Sequence, residues 1–424
     1  MKIAIIGAGS TYTPELIEGI INLEQSLDCP EVFLYDIDSR KLDIVGSFAR
    51  RMAERAGSRC NMVPTMDLTQ ALQGADFVLC QIRVGGMAAR INDEKIPLKH
   101  NLIGQETVGI GGFFKGLRTI PVMLDIAREM EHLCPKATMI NFANPAGMVT
   151  QAISDHSDIK IYGVCNNPFN MQKSITYKLG LTNPKFDYIG LNHLTWITGI
   201  YESGGENIIQ KALAAGINSE SMKNIPAGEF TAELISAIDA IPSSYLRYVY
   251  RKNESLDLAK NAAQTRGEYA LEIENGLLEM YTDENLGTKP DLLKNRGGAN
   301  YSLVAITLVD AIYNDKHEPH VVNLPNNGTV DFLADGDIIE TTAVISKNDA
   351  KCLPLDNVSD HIAGHMQTFK NYEKFAVTAA IEGSREAAIC AMLANPLIYD
   401  YDTAIACFDE MFAVNKQYLH NWVD

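Results

Sequence analysis

The sequence predicts an α/β protein built on a doubly wound parallel sheet, followed by an α+β, mostly helical domain. Three observations carry that expectation. Apolar strand-like runs alternate with amphipathic helical stretches from residue 1 to about 165, a glycine-rich turn follows the first run, and beyond about 165 the helical stretches lengthen. The predicted division is 1–165 and 166–424, with no linker, repeat or low-complexity tract between the two parts. A cleft where they meet is then the natural place for a site.

Lys2–Ile6 is the first strand, and it runs straight into Gly7-Ala8-Gly9-Ser10-Thr11-Tyr12-Thr13-Pro14. Gly7 and Gly9 allow a tight turn and a bare backbone against a pyrophosphate, and Ser10 and Thr11 complete the loop. Thr13 as N-cap and Pro14 as first helical residue start a helix aimed at the phosphates. Tyr12 stands where G-x-G-x-x-G has its third glycine. A second strand, 32–35, ends at Asp36, twenty-nine residues after Gly7. An acid there suits a ribose 2′-hydroxyl and repels a 2′-phosphate, so the expected cofactor is NAD and the expected first domain is Rossmann-like. Further strands are predicted at 77–80, 137–140 and 159–162, with a helix at 118–133. In the second part, helices are predicted at 170–179, 267–281, 301–313 and 374–393, and a strand at 196–200.

The chain has 424 residues, 46% of them hydrophobic and 21% charged, enough for two domains and a large core. A net charge of −17 argues against a nucleic-acid surface while leaving room for a local basic pocket. The chain opens directly into a strand and no apolar run approaches the roughly 18 residues of a membrane span, so a cytoplasmic, membrane-free location is expected. The eight cysteines show no C-x-x-C pair, and most sit in the apolar surroundings of reduced core thiols.

Cys165 is the exception, because it follows the last predicted parallel strand, at the edge where open α/β sheets bind ligands. His193 lies in Gly190-Leu191-Asn192-His193-Leu194, a polar pair between apolar residues. Cys165 and His193 read either as two ligands of a divalent ion or as a buried thiol and a core histidine. His361 and His365 have helical i, i+4 spacing, but the glutamate of H-E-x-x-H is absent and Gly364 weakens the helix, so they are set aside. Arg83, Arg90, Arg266 and Arg296 adjoin glycine-rich or polar turns and read either as a local anion pocket or as ordinary salt-bridged side chains. Tyr245 sits in the aromatic segment Tyr245-Leu246-Arg247-Tyr248, as a core group or as a base whose pKa a nearby cation lowers.

Eight blocks in order span nearly the whole chain: Gly-Ala-Gly-Ser-Thr-Tyr-Thr-Pro (7–14), Ile-Arg-Val-Gly-Gly (82–86), Gly-Gln-Glu-Thr-Val-Gly (104–109), Asn-Pro-Ala (144–146), Cys-Asn-Asn-Pro (165–168), Gly-Leu-Asn-His (190–193), Tyr-Leu-Arg-Tyr (245–248) and Arg-Gly-Gly-Ala (296–299). Together they closely resemble the NAD- and metal-dependent glycoside hydrolases of family four, most specifically its 6-phospho-β-glucosidases. The resemblance implies that Cys165 and His193 hold a divalent ion, usually Mn²⁺, that Tyr245 is the base, that Arg90 and Arg266 hold a sugar 6-phosphate, and that Asn144 lies against the sugar. The residues expected to serve the cofactor are Gly7, Gly9, Ser10, Thr11, Asp36 and Arg83.

The implied chemistry is oxidation at carbon 3 by NAD⁺, loss of the carbon 2 proton, elimination of the aglycone, addition of water and return of the hydride. This route lies outside the two-carboxylate scheme of most glycosidases. Asn166 stands where α-specific members have an aspartate that protonates the leaving group, which points to a β-linked substrate. Asn167 departs from the more usual apolar residue and leaves subsite preference open. The expected substrate is a small phosphorylated disaccharide or aryl glycoside, and the resemblance carries an expectation of a homodimer or homotetramer. Rival readings are another family-four glycosidase, a plain NAD-dependent hydroxy acid dehydrogenase, and a non-catalytic NAD sensor.

Overall fold

The computed structural model describes residues 1–28, 30–218, 225, 230–296, 301–355 and 358–422. Cys29 and residues 297–299 of the Arg-Gly-Gly-Ala block lie outside them. Six parallel strands form the frame: β1 (Lys2–Ile6), β2 (Glu31–Tyr35), β3 (Asn61–Thr65), β4 (Phe77–Cys80), β5 (Thr138–Asn141) and β6 (Lys160–Gly163). They lie in the order β3-β2-β1-β4-β5-β6, that of a dinucleotide-binding doubly wound sheet. Both faces are covered, so the central strands are largely apolar, as in residues 3–6 and Phe77–Cys80, while the edge strand β3 is more polar and less buried. Ile3 and Ile5 pack under the helices Thr13–Asn22, Ser39–Ala56 and Tyr301–Tyr313, while Ala4 and Ile6 pack under Gly109–Leu133 and its neighbours.

A separate three-stranded antiparallel sheet holds β7 (Lys185–Leu191), β8 (Leu194–Tyr201) and β9 (Ile241–Pro242). Beyond it the chain returns to the first sheet. The strands β10 (Glu318–Pro325), β11 (Ile338–Ile345) and β12 (Ala350–Cys352) extend it antiparallel past β6 to nine strands. The residues after 165 thus supply an edge of the first sheet as well as a largely helical layer, an addition that local periodicity cannot reveal because it depends on a contact between Asn323 and Gly163.

Several predicted elements differ in their limits. The helix expected at 118–133 is Gly109–Leu133; its opening Gly109-Ile110-Gly111-Gly112 has poor helical propensity, but a side chain at Gly111 would stand 2.4 Å from the carbonyl oxygens of Asp93 and Gln105. The helix expected at 374–393 is two, Asp360–Glu382 and Arg385–Ala394, because Gly383 caps the first in a left-handed conformation and Ser384 accepts a hydrogen bond from the Ala387 amide to start the second. The helix expected at 170–179 begins at Asn166, with Cys165 as its N-cap. Thr13 is the first helical residue and Tyr12 the N-cap; the Thr13 hydroxyl donates to the Ala8 carbonyl and accepts from Gln81 Nε2, both at 2.8 Å, tying the glycine turn to the end of β4. Gly364 does not interrupt its helix.

Among the described residues, no helix is long and apolar enough to cross a membrane. A buried ion pair ties three helices beneath the sheet. Arg118 Nη1 and Nη2 meet Asp93 Oδ1 and Oδ2 at 2.9 and 2.7 Å, and Nη1 also reaches Asn415 Oδ1 at 2.7 Å. Replacing Arg118 with alanine strands a fully buried carboxylate, so Arg118→Ala is expected to lower unfolding stability by about 3–5 kcal/mol. Urea denaturation measures this, and a loss below about 1 kcal/mol would contradict it.

Candidate active site

The carboxyl ends of the parallel strands open on a cavity of about 840 Å³. Gly7 leaves β1 with φ +88°, and its amide and that of Ala8 both donate to the Tyr35 carbonyl at the end of β2. The Gly9 amide donates to Asp36 Oδ2 at 2.7 Å and the Asp38 amide to Oδ1 at 2.9 Å. A Cβ on Gly9 would stand 2.9 Å from that carboxylate, so the loop can close on Asp36 only with glycine there. Gly7, Gly9, Ser10, Asp36, Arg83 and Asn144 all line the cavity. This cradle fits a dinucleotide: a bare backbone for phosphates beside a carboxylate with acceptor capacity left for a ribose hydroxyl.

Thr11, expected to serve the cofactor, sits apart from the other expected loop residues. It is 1% exposed and off the cavity wall; its carbonyl accepts from the Tyr281 hydroxyl at 3.0 Å, which braces the loop from behind. Its hydroxyl is buried as well.

The wall of the cavity is cationic. Glu106 is paired at once with Arg83, with Lys115 at 2.8 Å and with Arg90 at 3.1 Å. Arg90 Nε also meets Glu94 Oε1 at 2.9 Å, and the Gly267 amide holds the other Glu94 oxygen at 2.6 Å. Burial opposes ionisation of Glu106, but Arg83, Arg90 and Lys115 outweigh it and hold the carboxyl well below the usual range. Burial, then the like charge of Arg83, pushes Lys115 down to about 7. Even with Lys115 only partly ionised near neutral pH, Arg83, Arg90 and Lys115 outweigh Glu94 and Glu106, as an anion pocket requires.

Arg266 and Arg296 approach the same place. With Arg90 their charges oppose the effect of burial on the Tyr12 hydroxyl, which burial pushes up to about 12. Arg296 also stacks over the Tyr12 ring, 5.1 Å from its centroid, and pairs with Glu274 at 3.2 Å. Arg266 Nη2 donates to the carbonyls of Asn295 at 2.9 Å and Arg296 at 2.8 Å. Neither Arg90 nor Arg266 is among the residues that line the large cavity.

Cys165 and His193 meet although twenty-eight residues separate them. The thiol follows β6; the imidazole sits in the tight β7–β8 turn, where His193 has φ +67°. Sγ lies 3.6 Å from Nε2, and both residues are 6% exposed. The Tyr245 ring, on a helical turn just after β9, stacks on the imidazole at 3.8 Å and 9°. Burial pushes the thiol up, with Glu340 adding to it, and pushes His193 down to about 3, with Lys115 adding to it, so the imidazole is neutral and offers a lone pair.

One ion with bonds of about 2.3 Å to sulfur and about 2.1 Å to nitrogen spans such a gap, so the donor set fits a divalent cation. Among the described residues no cluster of three or more His, Cys, Asp or Glu side chains is set for a metal, so this pair would leave coordination positions open to oxygen donors. His193 and Tyr245 border a second cavity of about 40 Å³, room for about a single water. Asn166, beside the thiol, is 4% exposed. His361 and His365 lie elsewhere, the first on the Tyr250 hydroxyl at 2.9 Å and the second beside Trp196.

Glu106 and Lys115 were not among the residues singled out from the sequence. A signal was present: both are charged residues inside the apolar, glycine-rich run 102–124, where an ion is tolerated only when paired.

Comparison with known proteins agrees with this geometry. Residues 2–181 match the model of the family 4 glycosyl hydrolases and residues 188–398 that of the family 4 glycosyl hydrolase C-terminal domain. The probable 6-phospho-β-glucosidase of Bacillus subtilis (strain 168) is 40% identical over 430 residues, covering 99% of this chain and 97% of that protein. The 6-phospho-β-glucosidase of Escherichia coli (strain K12) is 37% identical, covering 100% of this chain and 97% of its own. A structure of the 6-phospho-β-glucosidase from Thermotoga maritima with manganese, NAD⁺ and glucose-6-phosphate superposes with a TM-score of 0.91 at 30% identity, covering 99% of both chains.

The burial of Cys165 has a direct consequence in solution. In chelator-treated native protein, iodoacetamide should label exposed Cys390 at least about 100-fold faster than Cys165, as read by peptide mass spectrometry; comparable rates would contradict the buried, protonated thiol.

Proposed function

Because the chain belongs to family 4 of the glycosyl hydrolases, we propose that it is a 6-phospho-β-glucosidase, hydrolysing 6-phosphorylated β-glucosides such as cellobiose 6-phosphate with NAD and a divalent ion, Mn²⁺. One observation carries the reading. The dinucleotide cradle at the ends of β1 and β2 and the thiol–imidazole–phenol group beyond β6 share one edge of one sheet. A plain hydroxy acid dehydrogenase has no use for the second group.

When bound, NAD⁺ is a reversible hydride acceptor for carbon 3 of the sugar, and the divalent ion supplies the positive charge that acidifies the carbon 2 proton. Gly7, Gly9 and Ser10 take the pyrophosphate, Asp36 accepts from the ribose hydroxyl, and Arg83 lines the same cavity. Cys165 gives up its proton and, with neutral His193, holds the cation. Tyr245 takes the carbon 2 proton; its ring lies flat on the imidazole, where the charge of the divalent ion would favour the phenolate. Asn144 orients the sugar from the cavity wall.

Asn166 has no proton to give, so the departing oxygen takes one from water, consistent with a β-linked substrate. Arg266 and Arg90 hold the 6-phosphate, Arg90 fixed by Glu94 and Glu106 and Arg266 by backbone carbonyls. A phosphorylated sugar does not cross a membrane unaided, so the enzyme works in the cytoplasm. By the family resemblance it assembles as a homodimer or homotetramer.

Hydrolysis of p-nitrophenyl β-glucoside 6-phosphate by metal-stripped protein should require both NAD⁺ and Mn²⁺ and should fail with the α-anomer and the unphosphorylated glycoside. Turnover without NAD⁺ would overturn the mechanism.

The phosphate contact is best tested at Arg266, since removing Arg90 leaves Glu94 and Glu106 unbalanced and confounds binding with folding. Losing a charge-assisted hydrogen bond of about 1.5–3 kcal/mol, Arg266→Ala should raise KM for the phosphorylated substrate about 10- to 100-fold. An equal effect on an unphosphorylated analogue would reject the role.

A further inference from the structure

Glu340, on β11, is 1% exposed, and among the described residues no lysine or arginine pairs with it. Its partners are neutral. Oε1 accepts from Asn192 Nδ2 and from Asn323 Nδ2, each at 2.9 Å, and Oε2 lies 3.3 Å from the Tyr188 hydroxyl. A buried carboxylate without a cation is expensive to keep ionised, so the question is what positive charge it serves.

The hydrogen bonds point in one direction. Asn192 immediately precedes His193, and its side chain also hydrogen-bonds the Cys165 thiol, so one amide bridges Glu340 to the sulfur. Asn323 stands opposite Glu340 in the β10–β11 register and opposite Gly163 of β6, whose carbonyl it holds at 3.2 Å, two residues before Cys165. Tyr188 lies on β7, the strand that leads into the His193 turn, and its hydroxyl is also 2.7 Å from Thr195 Oγ1 on β8. Glu340 therefore touches, through single side chains, both chain segments that carry the thiol and the imidazole.

We propose that Glu340 is a positioning residue for the divalent-cation site: through Asn192 and Asn323 it sets the Cys165 and His193 donors, and its buried charge is balanced by the cation they hold. The inference rests on the reading of Cys165 and His193 as metal ligands. It explains why the sheet is extended past β6, since β10 and β11 bring Asn323 and Glu340 behind the thiol. Partners in this outer layer typically change metal affinity about 10- to 100-fold when removed.

Calorimetric titration of Mn²⁺ into NAD⁺-loaded protein tests it, alongside NAD⁺ affinity and melting with and without Mn²⁺. Glu340→Gln should weaken Mn²⁺ binding about 10- to 100-fold, leave NAD⁺ affinity unchanged, and melt without metal no lower than wild type, because it removes an unbalanced buried charge. A merely structural carboxylate would instead lower the metal-free melting temperature and leave Mn²⁺ affinity intact, and that result would overturn the proposal. If Glu340→Gln does not fold, Asn192→Ala decides, since it breaks the bridge to the sulfur; wild-type Mn²⁺ affinity there would overturn it equally. Cys165→Ser separates the two levels: Mn²⁺ binding as tight as wild type in that variant would sink the metal reading itself, whereas lost binding there with full affinity in Glu340→Gln would sink only the role of Glu340.

Discussion

Six parallel strands must all end on the same edge, and everything else in the site depends on that constraint. Gly7 follows β1, Asp36 follows β2, Arg83 lies just beyond β4, Asn144 just beyond β5 and Cys165 just beyond β6. Parallel pairing aligns these exits within a few strand widths of about 4.8 Å each, so residues up to 158 positions apart in the chain come within reach of one bound dinucleotide and one sugar. The cost of parallel pairing is burial on both faces, which the flanking helices provide and which makes the central strands largely apolar.

Charge in this acidic protein is placed locally against the global balance. The net charge is −17, yet the cavity wall gathers Arg83, Lys115 and Arg296, with Arg90 paired to the same carboxylate as Arg83 and Lys115, and each is held by a carboxylate that is itself buried or nearly so. Such pairs contribute little net stability, because desolvation offsets much of the attraction. Their effect is to fix the directions of guanidinium and ammonium groups before a phosphate arrives, so that less ordering remains to be done on binding. The opposite sign appears behind the thiol, where Glu340 is held by amides and a phenol alone. The two halves of the site thus have opposite local fields, one suited to anionic ligands and the other to a cation.

The second half of the chain completes the edge that the first half begins. His193 enters on the turn between β7 and β8 in a left-handed conformation, Tyr245 on the short helical turn after β9, and Asn323 and Glu340 on strands that join the first sheet. Stacking of Tyr245 on His193 fixes the two rings relative to each other, so movement of either perturbs the other.

What the sequence determined by itself was what short-range physics controls. The strand, glycine turn and Asp36 spacing specified a dinucleotide cradle, because each requirement is met within a few residues of β1 or β2. The apolar runs specified the sheet, and the ordered blocks specified the family. Propensity misjudged Gly109–Leu133 and the break at Gly383, where close backbone packing and a left-handed cap decide the outcome. Thr11 looked like a loop contact and lies inside, because side-chain direction in a turn follows from dihedral angles that residue names do not carry. Only the tertiary structure decided that Glu106 and Lys115 meet Arg83 and Arg90, that β10 to β12 return to the first sheet, and that Glu340 stands behind Cys165 through Asn192. These pairings join residues separated by as many as 160 positions, and long-range contacts arise from the packing of whole elements, which no local pattern encodes.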